Sequence, residues 1–429
     1  MSNRAGNIIA PAHLSISLSS VMLFHVTEMP PQRSIAMIHL KLKRRLPYRP
    51  TERMNVVSYP IRDIVMEAKR EEAKGKKMIY LNIGDPPLYG FSSFKSLIDG
   101  VKASLAQNCQ GYAPSEGDEE LRNAVAKNEK CRPEDVFVVA GLTEGIDFFF
   151  HSFVGFGEKV LLPNPVYPLY LSKAKQFEGD SVFYRHDANG QIDIANLSKK
   201  IEGAKAIIII NPNNPLGAVY SEKNLSDVVN LCAEYDVPIF YDGSYDQLIF
   251  EGKPVDFRKI ARRKVPFIYG SSLSKGFSYP GARIGWVAFH GEKWEEVKNA
   301  FFLLCNQRLS VNWEYQKAAA AAIGDPAYPA YIADIKRKLT ERRNAFIQIT
   351  QKMPLSYPVP NGAFYAFIRI ESPKWRKDID FVRAALKEGV VFVPGSGFGR
   401  QEDGVYFRTT FLPEPQVIEE AFSKIRHIL

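Results

Sequence analysis

Cysteine is scarce in this sequence, with four residues among 429. Cys109, Cys131, Cys232 and Cys305 lie far apart, and no two of them have the C-x-x-C spacing. This pattern indicates neither a cysteine zinc site nor a disulfide framework, so no metal is expected. We predict reduced structural thiols in a cytoplasmic protein.

A long apolar run is also lacking. The segment from Asn7 to Thr27 has no formal charge, but Pro11, two histidines and five Ser or Thr residues make it too polar for a membrane span. An Arg-bearing targeting sequence is one interpretation of this region. Because globular patterning begins near Met54, we favour another: residues 1–53 are a disordered extension or precede the true translation start.

Acidic residues are too few to balance the basic ones, which gives a net charge of +9. Residues 1–53 hold eight Lys or Arg against Glu28 and Glu52, so most of the excess lies in that segment. The rest of the chain is nearly balanced. It gives no electrostatic reason to expect nucleic acid or a membrane as partner.

From Pro133 to Phe289 the sequence alternates short β-rich runs with helix-like stretches. This alternation is typical of parallel strands covered by helices, and continuous apolar runs such as AIIII indicate strands buried on both faces. We predict an α/β fold with a large, mostly parallel sheet of seven strands. The predicted strands are Asp135–Ala140, Lys159–Leu162, Ser181–Arg185, Ala206–Ile210, Val237–Tyr241, Pro266–Gly270 and Ile284–Phe289.

The C-terminal part has a different pattern, with a long charged helix followed by separated strands. Together with the stretch after Met54, it predicts a smaller α+β domain formed by both chain ends. The predicted elements are a helix at Ile335–Met353 and strands at Ala363–Ile370, Val390–Val393 and Val405–Phe411. The predicted division is 54–95 and 315–429 for the small domain and 96–314 for the large domain.

Polar or glycine-rich clusters follow successive strands, at the edge where open α/β sheets bind ligands. GLTEGIDFFF begins a helix at Gly141 whose exposed N–H groups suit a phosphate, although a plain strand-to-helix turn has the same pattern. NPVYPLY places Tyr167 in a proline-stiffened loop, for stacking on a flat ring or for ordinary packing. NPNNPLG, residues 211–217, has two N-P steps, more than a simple turn needs.

Asp242, in YDGSY, follows the apolar run VPIF. A carboxylate in such a place requires a partner or an altered pKa. Helix capping explains this motif equally well when the motif is taken alone.

The motif SSLSKGFSYPGARIG, residues 271–285, is the most specific of the five. Lys275 follows Ser272 and Ser274, and Arg283 comes eight residues later. This set combines an amine nucleophile with hydroxyl and guanidinium donors for a phosphate. A lone lysine is usually a solvated surface group, but this one ends an apolar strand and precedes aromatic residues, which argues against a surface role.

With these five motifs in this order, the chain resembles the class I/II aminotransferases, which use pyridoxal 5'-phosphate (PLP) and have the fold of PLP enzymes called fold type I. The likeness runs from about Ile61 to the C-terminus. It is greatest to the archaeal and bacterial alanine aminotransferase branch, as judged from LNIGDP, GYAPSEG, NPNNPLGA, NGAFYAF, PGSGFG and FRTTFLP.

The resemblance implies a catalytic role for three of these residues. Lys275 would form the Schiff base with the cofactor and then move the substrate proton, which requires a low amine pKa. Asp242 would pair with the pyridine nitrogen and keep it protonated. Tyr245 would hydrogen-bond the ring 3′-oxygen, as would Asn214, and Tyr167 would stack on the ring.

The resemblance also assigns ligands for the two anionic groups, the substrate α-carboxylate and the cofactor phosphate. Arg408, in VYFRTTF, would bind the substrate α-carboxylate bidentately, helped by the backbone at Gly84 and by Asn214. One phosphate contact would come from the neighbouring subunit of a homodimer. The expected phosphate ligands are Gly141, Leu142, Thr143, Ser272, Ser274, Arg283 and the neighbour's equivalent of Tyr112.

The sequence departs from the family pattern at a few places. Gly243 and Ser244 replace an acidic residue and a large aliphatic one, which leaves the local packing behind Asp242 open. Leu216 replaces the threonine common in NPTG. We expect such changes to affect substrate preference and not reaction type.

The favoured reaction is transamination between alanine and a 2-oxo acid such as 2-oxoglutarate, with aspartate or broad specificity as the alternative. Arg308 is a candidate ligand for a distal carboxylate, although a structural role is favoured. A fold-type I lyase would use the same Lys275 and Asp242. A regulator with an aminotransferase-like domain usually has a fused helix-turn-helix, and residues 1–53 are too short and irregular to form one.

Overall fold

A computed structural model describes Thr51, Met54 and residues 60–107, 111–252 and 254–429. The predicted extension, residues 1–53, lies outside the described residues apart from Thr51, and so does Cys109. The described residues from Met54 onward belong to one compact unit. The predicted domain boundaries near residues 95 and 314 stay a prediction.

The chain alternates helices and strands over most of the described length. The strands are β1 (Ile79–Tyr80), β2 (Val136–Val139), β3 (Lys159–Asn164), β4 (Asp180–Arg185), β5 (Ala204–Ile210), β6 (Ile239–Asp242), β7 (Phe267–Ser272), β8 (Gly285–His290), β9 (Leu355–Ser356), β10 (Tyr365–Ile370), β11 (Val390–Val391), β12 (Val393–Pro394) and β13 (Val405–Thr410). The α-helices are α1 (Pro60–Glu72), α2 (Lys95–Ala106), α3 (Glu119–Glu129), α4 (Leu142–Phe153), α5 (Pro168–Gln176), α6 (Ile194–Ser198), α7 (Glu222–Glu234), α8 (Phe257–Ala261), α9 (Glu295–Arg308), α10 (Trp313–Ala322), α11 (Tyr328–Thr350), α12 (Asp378–Lys387) and α13 (Pro415–Ile425).

The large sheet has seven strands in the order β2-β8-β7-β6-β5-β3-β4. Strand β8 is antiparallel to both of its neighbours, and the remaining pairs are parallel. The predicted mostly parallel, seven-stranded sheet is therefore confirmed, and each predicted strand end lies within two residues of the observed one.

Strand β5 shows why the strands of this sheet are continuous apolar runs in the sequence. Ile208 and Ile210 pack on one face with helices α4 and α5, whereas Ile207 and Ile209 pack on the other face with α7. All four side chains are almost completely buried. Each contributes about 1.5–3 kcal/mol to the stability of the folded state, so helices on both faces hold the sheet rigid.

Two smaller sheets are formed largely by the C-terminal part of the chain, and one of them includes an N-terminal strand. Strands β12-β13-β10-β9 form an antiparallel sheet, and β1 pairs in parallel with β11. Ile64 and Leu81 from the N-terminal stretch share a hydrophobic core with Phe381 and Phe422. This shared core confirms the predicted α+β region formed by both chain ends.

Three predicted elements in this region need correction. The single strand predicted over Val390–Val393 is wrong, because β11 pairs with β1 and β12 pairs with β13, with buried Phe392 between them. Strand β10 starts at Tyr365, since Ala363 has a left-handed backbone with φ of 55° that no strand accommodates. Helix α11 begins seven residues earlier than predicted, with a proline in its first turn.

The parallel strands point their carboxyl ends to one edge of the large sheet. Asp242 ends β6 and Ser272 ends β7. Asn214 follows β5, and Gly141 separates β2 from α4. Parallel strands thus bring residues that are more than 130 positions apart to one cleft.

Candidate active site

A cavity of about 600 Å³ lies at this edge of the sheet. Most of the site residues predicted from the sequence line it. The exceptions are Gly141, whose neighbour Leu142 lines the cavity, Tyr112 and the candidate Arg308. The predicted residues in the lining are Gly84, Leu142, Thr143, Tyr167, Asn214, Asp242, Tyr245, Ser272, Ser274, Lys275, Arg283 and Arg408.

Lys275 presents its amine to the cavity, where Nζ donates to the Gly84 carbonyl oxygen at 2.8 Å. Burial lowers the pKa of the amine to about 8; the charge of Asp85 opposes this shift, while Arg408 adds to it. At pH 7 about a tenth of the amine is therefore uncharged, far more than for an ordinary lysine. An uncharged amine is what a lysine nucleophile or proton acceptor requires.

Asp242 lies at the inner end of the cavity and is buried. Its Oδ2 accepts a hydrogen bond from the Tyr170 hydroxyl at 2.8 Å, and its Oδ1 accepts one from the Ser244 amide at 3.0 Å. Burial raises the pKa of this carboxyl, and the hydrogen bonds partly offset the shift. A carboxylate in this setting is stabilised by a cationic partner, which a protonated ring nitrogen would supply.

Tyr170 is a functional residue that sequence reasoning missed. Its side chain is completely buried, and its ring lies edge-on to Tyr167 at 6.4 Å. The available signal was its position in NPVYPLY, three residues after Tyr167, which places both tyrosines near one face at the start of α5.

The departure at Gly243 also has a structural reason. A Cβ atom at this position would lie 2.3 Å from the Tyr269 hydroxyl oxygen. Tyr269 in turn donates to Asp246. The space taken by a larger residue in the family pattern is thus filled by Tyr269, and the hydrogen bonds of Asp242 are intact.

Arg408 lies in the middle of the small sheet, since β13 pairs with both β12 and β10. It is only 2% exposed, which excludes a surface role. Its guanidinium donates to the Asn82 carbonyl at 2.7 Å and to Asn214 Oδ1 at 3.3 Å, and it lies 4.4 Å from the Tyr365 ring centroid. The remaining N–H donors leave capacity for a carboxylate.

Tyr245 and Tyr365 form the side of the cavity next to Arg408. Their hydroxyl oxygens are 3.5 Å apart. Burial raises the pKa of Tyr245 well above its usual range, so its hydroxyl stays protonated and can donate. Tyr365, in NGAFYAF, was not predicted as a site residue, although a Cβ at Gly84 would lie only 1.7 Å from its hydroxyl oxygen.

The opposite end of the cavity is a cradle for an anion. The Arg283 guanidinium donates to the Ala140 and Pro280 carbonyls at 3.0 and 3.1 Å. Gly141 has φ of 73°, and a Cβ there would lie 2.3 Å from Arg283 Nη2. Helix α4 starts at the next residue, so its first N–H groups and positive dipole end point to the same place.

These features fit PLP at both its phosphate group and its ring nitrogen. The Arg283–Gly141 cradle and the Ser272 and Ser274 hydroxyls suit a phosphate. The buried Asp242 suits a protonated ring nitrogen, and the Lys275 amine suits covalent attachment to an aldehyde carbon. No group of His, Cys, Asp or Glu among the described residues is arranged to hold a metal ion.

The sequence matches the family described as aminotransferase class I and II over residues 76–425. The chain belongs to this family. It is therefore a PLP-dependent aminotransferase, and its sheet order and site location are those of fold type I. The resemblance inferred from the five motifs is confirmed.

Similar proteins match over nearly the whole length of this aminotransferase. It is 31% identical over 396 residues to the glutamate-pyruvate aminotransferase AlaA of Haemophilus influenzae, which covers 88% of this chain and 97% of that protein. It is 30% identical over 407 residues to the alanine aminotransferase of Mycobacterium tuberculosis, covering 90% and 94% of the two chains.

A solved structure shows the same fold at higher identity. The alanine aminotransferase from Pyrococcus furiosus superposes with a TM-score of 0.85 and 36% identity, covering 89% of this chain and 99% of that one. Among the described residues no helix is long and apolar enough to cross a membrane.

Two predicted residues lie apart from the cavity of this chain. Arg308 donates to the Val138 carbonyl at 3.0 Å and lies 3.4 Å from Glu144 Oε2, so it holds α9 against β2 and does not line the cavity. Tyr112 is 83% exposed. Its predicted role in a neighbouring subunit stays a prediction.

Proposed function

We propose that this aminotransferase moves the amino group of L-alanine to 2-oxoglutarate. The names of the Haemophilus influenzae and Mycobacterium tuberculosis relatives support this pair. The observation that carries the proposal is the joining of three groups in one cavity: a buried carboxylate at Asp242, an amine of lowered pKa at Lys275 and a buried guanidinium at Arg408.

The proposed division of labour follows the cavity from end to end. Arg408 binds the α-carboxylate with a planar pair of N–H donors, and the hydrogen bonds to Asn82 and Asn214 keep the guanidinium in place. Lys275 would anchor the cofactor and, once displaced by the substrate amine, would move the proton from the substrate α-carbon to the cofactor carbon that is bonded to the transferred nitrogen. When bound, PLP accepts the electron pair left by that proton.

The other residues hold the ring and its charge. Asp242 stabilises the protonated ring nitrogen, and Tyr170 fixes the orientation of that carboxylate. Tyr245 and Asn214 donate to the ring oxygen, and Tyr167 covers the ring face. Arg283, Ser272 and Ser274 bind the phosphate together with the backbone of residues 141–143, so the cofactor is held while Lys275 is free to act.

We also propose that the enzyme is a cytoplasmic homodimer in amino-acid biosynthesis. Tyr112 supports the dimer, because its aromatic side chain is largely exposed and lies outside the cavity of its own chain. Leu105, Phe302 and Leu303 are also exposed apolar side chains, and a partner subunit would remove such groups from water.

The test is the absorbance of the purified, PLP-loaded enzyme after addition of one amino acid at a time, with no 2-oxo acid present. We expect L-alanine and L-glutamate to convert the bound cofactor to its amine form, and L-aspartate and aromatic amino acids to do so poorly. Conversion by aspartate and not by alanine would replace the proposed donor. Release of ammonia or carbon dioxide would replace transamination by a lyase reaction.

A further inference from the structure

Among the residues that the structure describes, four basic side chains line the active-site cavity, and the proposed function uses three of them. Lys275 supplies the amine, Arg283 the phosphate site and Arg408 the α-carboxylate site. The fourth is Lys69, on helix α1. The acidic lining residues are Asp85 and Asp242, and both lie with Lys275 in electrostatic contact.

Lys69 lies at the open side of the cavity, with apolar neighbours. Val65 and Met66 precede it by four and three residues on α1, so the three side chains share one helix face. Ile83 and Leu88 line the cavity as well. The apolar wall next to Lys69 is thus suited to the methyl group of alanine, and the Lys69 ammonium lies at the edge of that wall.

The Lys69 amine is available for a ligand. Within the described part of the chain, Lys69 Nζ has no hydrogen bond or ion pair, and the side chain is exposed. The acidic residues near it on α1 have other partners. Glu67 pairs with Arg383 at 2.9 Å, Glu71 pairs with Lys74 at 2.7 Å, and Glu72 hydrogen-bonds with Tyr80. Recruiting this ammonium into the cavity therefore breaks no existing ion pair.

Transamination between alanine and 2-oxoglutarate sets a recognition problem. The same cavity must accept a methyl group in one half-reaction and a chain ending in a carboxylate in the other. A fixed buried cation next to the methyl group would have to stay desolvated without a partner. A lysine on an exposed helix avoids this cost, since its long flexible stem lets the ammonium stay in water when no carboxylate is present.

We propose that Lys69 binds the distal carboxylate of the dicarboxylic substrate and turns to solvent when alanine or pyruvate is bound. This inference rests on the proposed function and names the group that distinguishes its two substrates. Arg308, the candidate from the sequence, cannot serve, because it is held by Val138 and Glu144 outside the cavity.

The experiment compares Lys69→Met with Arg70→Met. Both variants remove one positive charge from adjacent exposed positions of α1, but Arg70 does not line the cavity. The probes are glutarate, an unreactive five-carbon dicarboxylate, and propionate, its monocarboxylate counterpart. Their dissociation constants are measured from the absorbance change of the bound cofactor, and the KM values of 2-oxoglutarate and pyruvate are measured in turnover.

We expect Lys69→Met to weaken glutarate binding by up to about fivefold, the upper end for an exposed ion pair. The KM for 2-oxoglutarate should rise similarly, with propionate and pyruvate unchanged. Arg70→Met should resemble the wild type, and Lys69→Arg should keep glutarate binding. Added salt should weaken glutarate in the wild type more than in Lys69→Met.

Equal glutarate affinity in Lys69→Met and Arg70→Met overturns the proposal, as does an equal loss for glutarate and propionate. The binding measurement needs no turnover, so it decides the role of Lys69 even where the amino-acid test above contradicts the proposed function. A wild type that binds glutarate no better than propionate also overturns the proposal.

Discussion

The reactivity of Lys275 depends on the balance of charges around its amine. Burial, Arg408 and Arg283 favour the neutral amine, whereas Asp85 and Asp242 favour the ammonium. The buried Oδ1 of Asp85 has no hydrogen-bond partner among the described residues. Such an oxygen is costly unless a nearby positive charge stabilises it, and Lys275 is the cation that it affects.

Replacing Asp85 with asparagine should therefore lower the pKa of Lys275 below about 8. The carboxylate stabilises the ammonium, so its removal makes proton loss easier and raises the neutral fraction at pH 7. The measurement is the pH dependence of the rate at which the cofactor-free enzyme reacts with PLP, followed by absorbance. Glu67→Gln, on the outer side of α1, is the control; an unchanged or raised midpoint in Asp85→Asn would contradict the prediction.

The sequence predicted that Lys275, Asp242 and Arg408 belong to one site, and all three line one cavity. That prediction came from the order of the motifs, whereas the residues that contact these three side chains were not predicted. Tyr170, Tyr365 and Asp85 act through contacts with residues far away in sequence. Tyr170 meets Asp242 across 72 positions, and a pairing of that kind follows from strand order and not from local pattern.

At the scale of elements, the sequence predicted the large sheet well because each buried strand is a continuous apolar run followed by a polar cluster. The small sheets were predicted less well. Strands β11 and β12 have two residues each and form one apolar run with Phe392 between them. The sequence therefore does not show that the two strands pair with different partner strands. The left-handed backbone of Ala363 is likewise set by tertiary contacts.

The junction between β2 and α4 gives a prediction for one element. Gly141→Ala would place a Cβ where the Arg283 guanidinium lies and would force an unfavourable positive φ on alanine. We expect PLP affinity to fall at least about tenfold, because the substitution displaces the Arg283 guanidinium and distorts the backbone at residue 141, which together form the phosphate site. Equilibrium dialysis of PLP from the purified variant measures this loss.

Gly155→Ala is the matched control for that variant. It also adds one methyl group near an end of α4, but a Cβ there meets no atom closer than 3.4 Å. Its PLP affinity should equal that of the wild type. If Gly141→Ala binds PLP as tightly as Gly155→Ala does, the cradle does not hold the phosphate.

At the scale of the whole molecule, the order of the motifs was enough to predict the fold and the reaction type. It could not show which chain completes each cavity. Tyr112 lies outside the cavity of its own chain and is largely exposed, so we predict that it acts in the cavity of a neighbouring subunit. A symmetric dimer would give each cavity one tyrosine from the other subunit.

Hybrid dimers test this arrangement. Lys275→Ala and Tyr112→Ala homodimers should both be strongly impaired, the second through weaker PLP binding. A hybrid of the two, isolated from co-expressed chains with different tags, has one cavity with both substitutions and one with neither. We expect about half of the wild-type activity per dimer, because the unaltered cavity takes its lysine from one subunit and its tyrosine from the other. If Tyr112 served its own cavity, each site of the hybrid would keep one defect and the activity would stay as low as in the two homodimers.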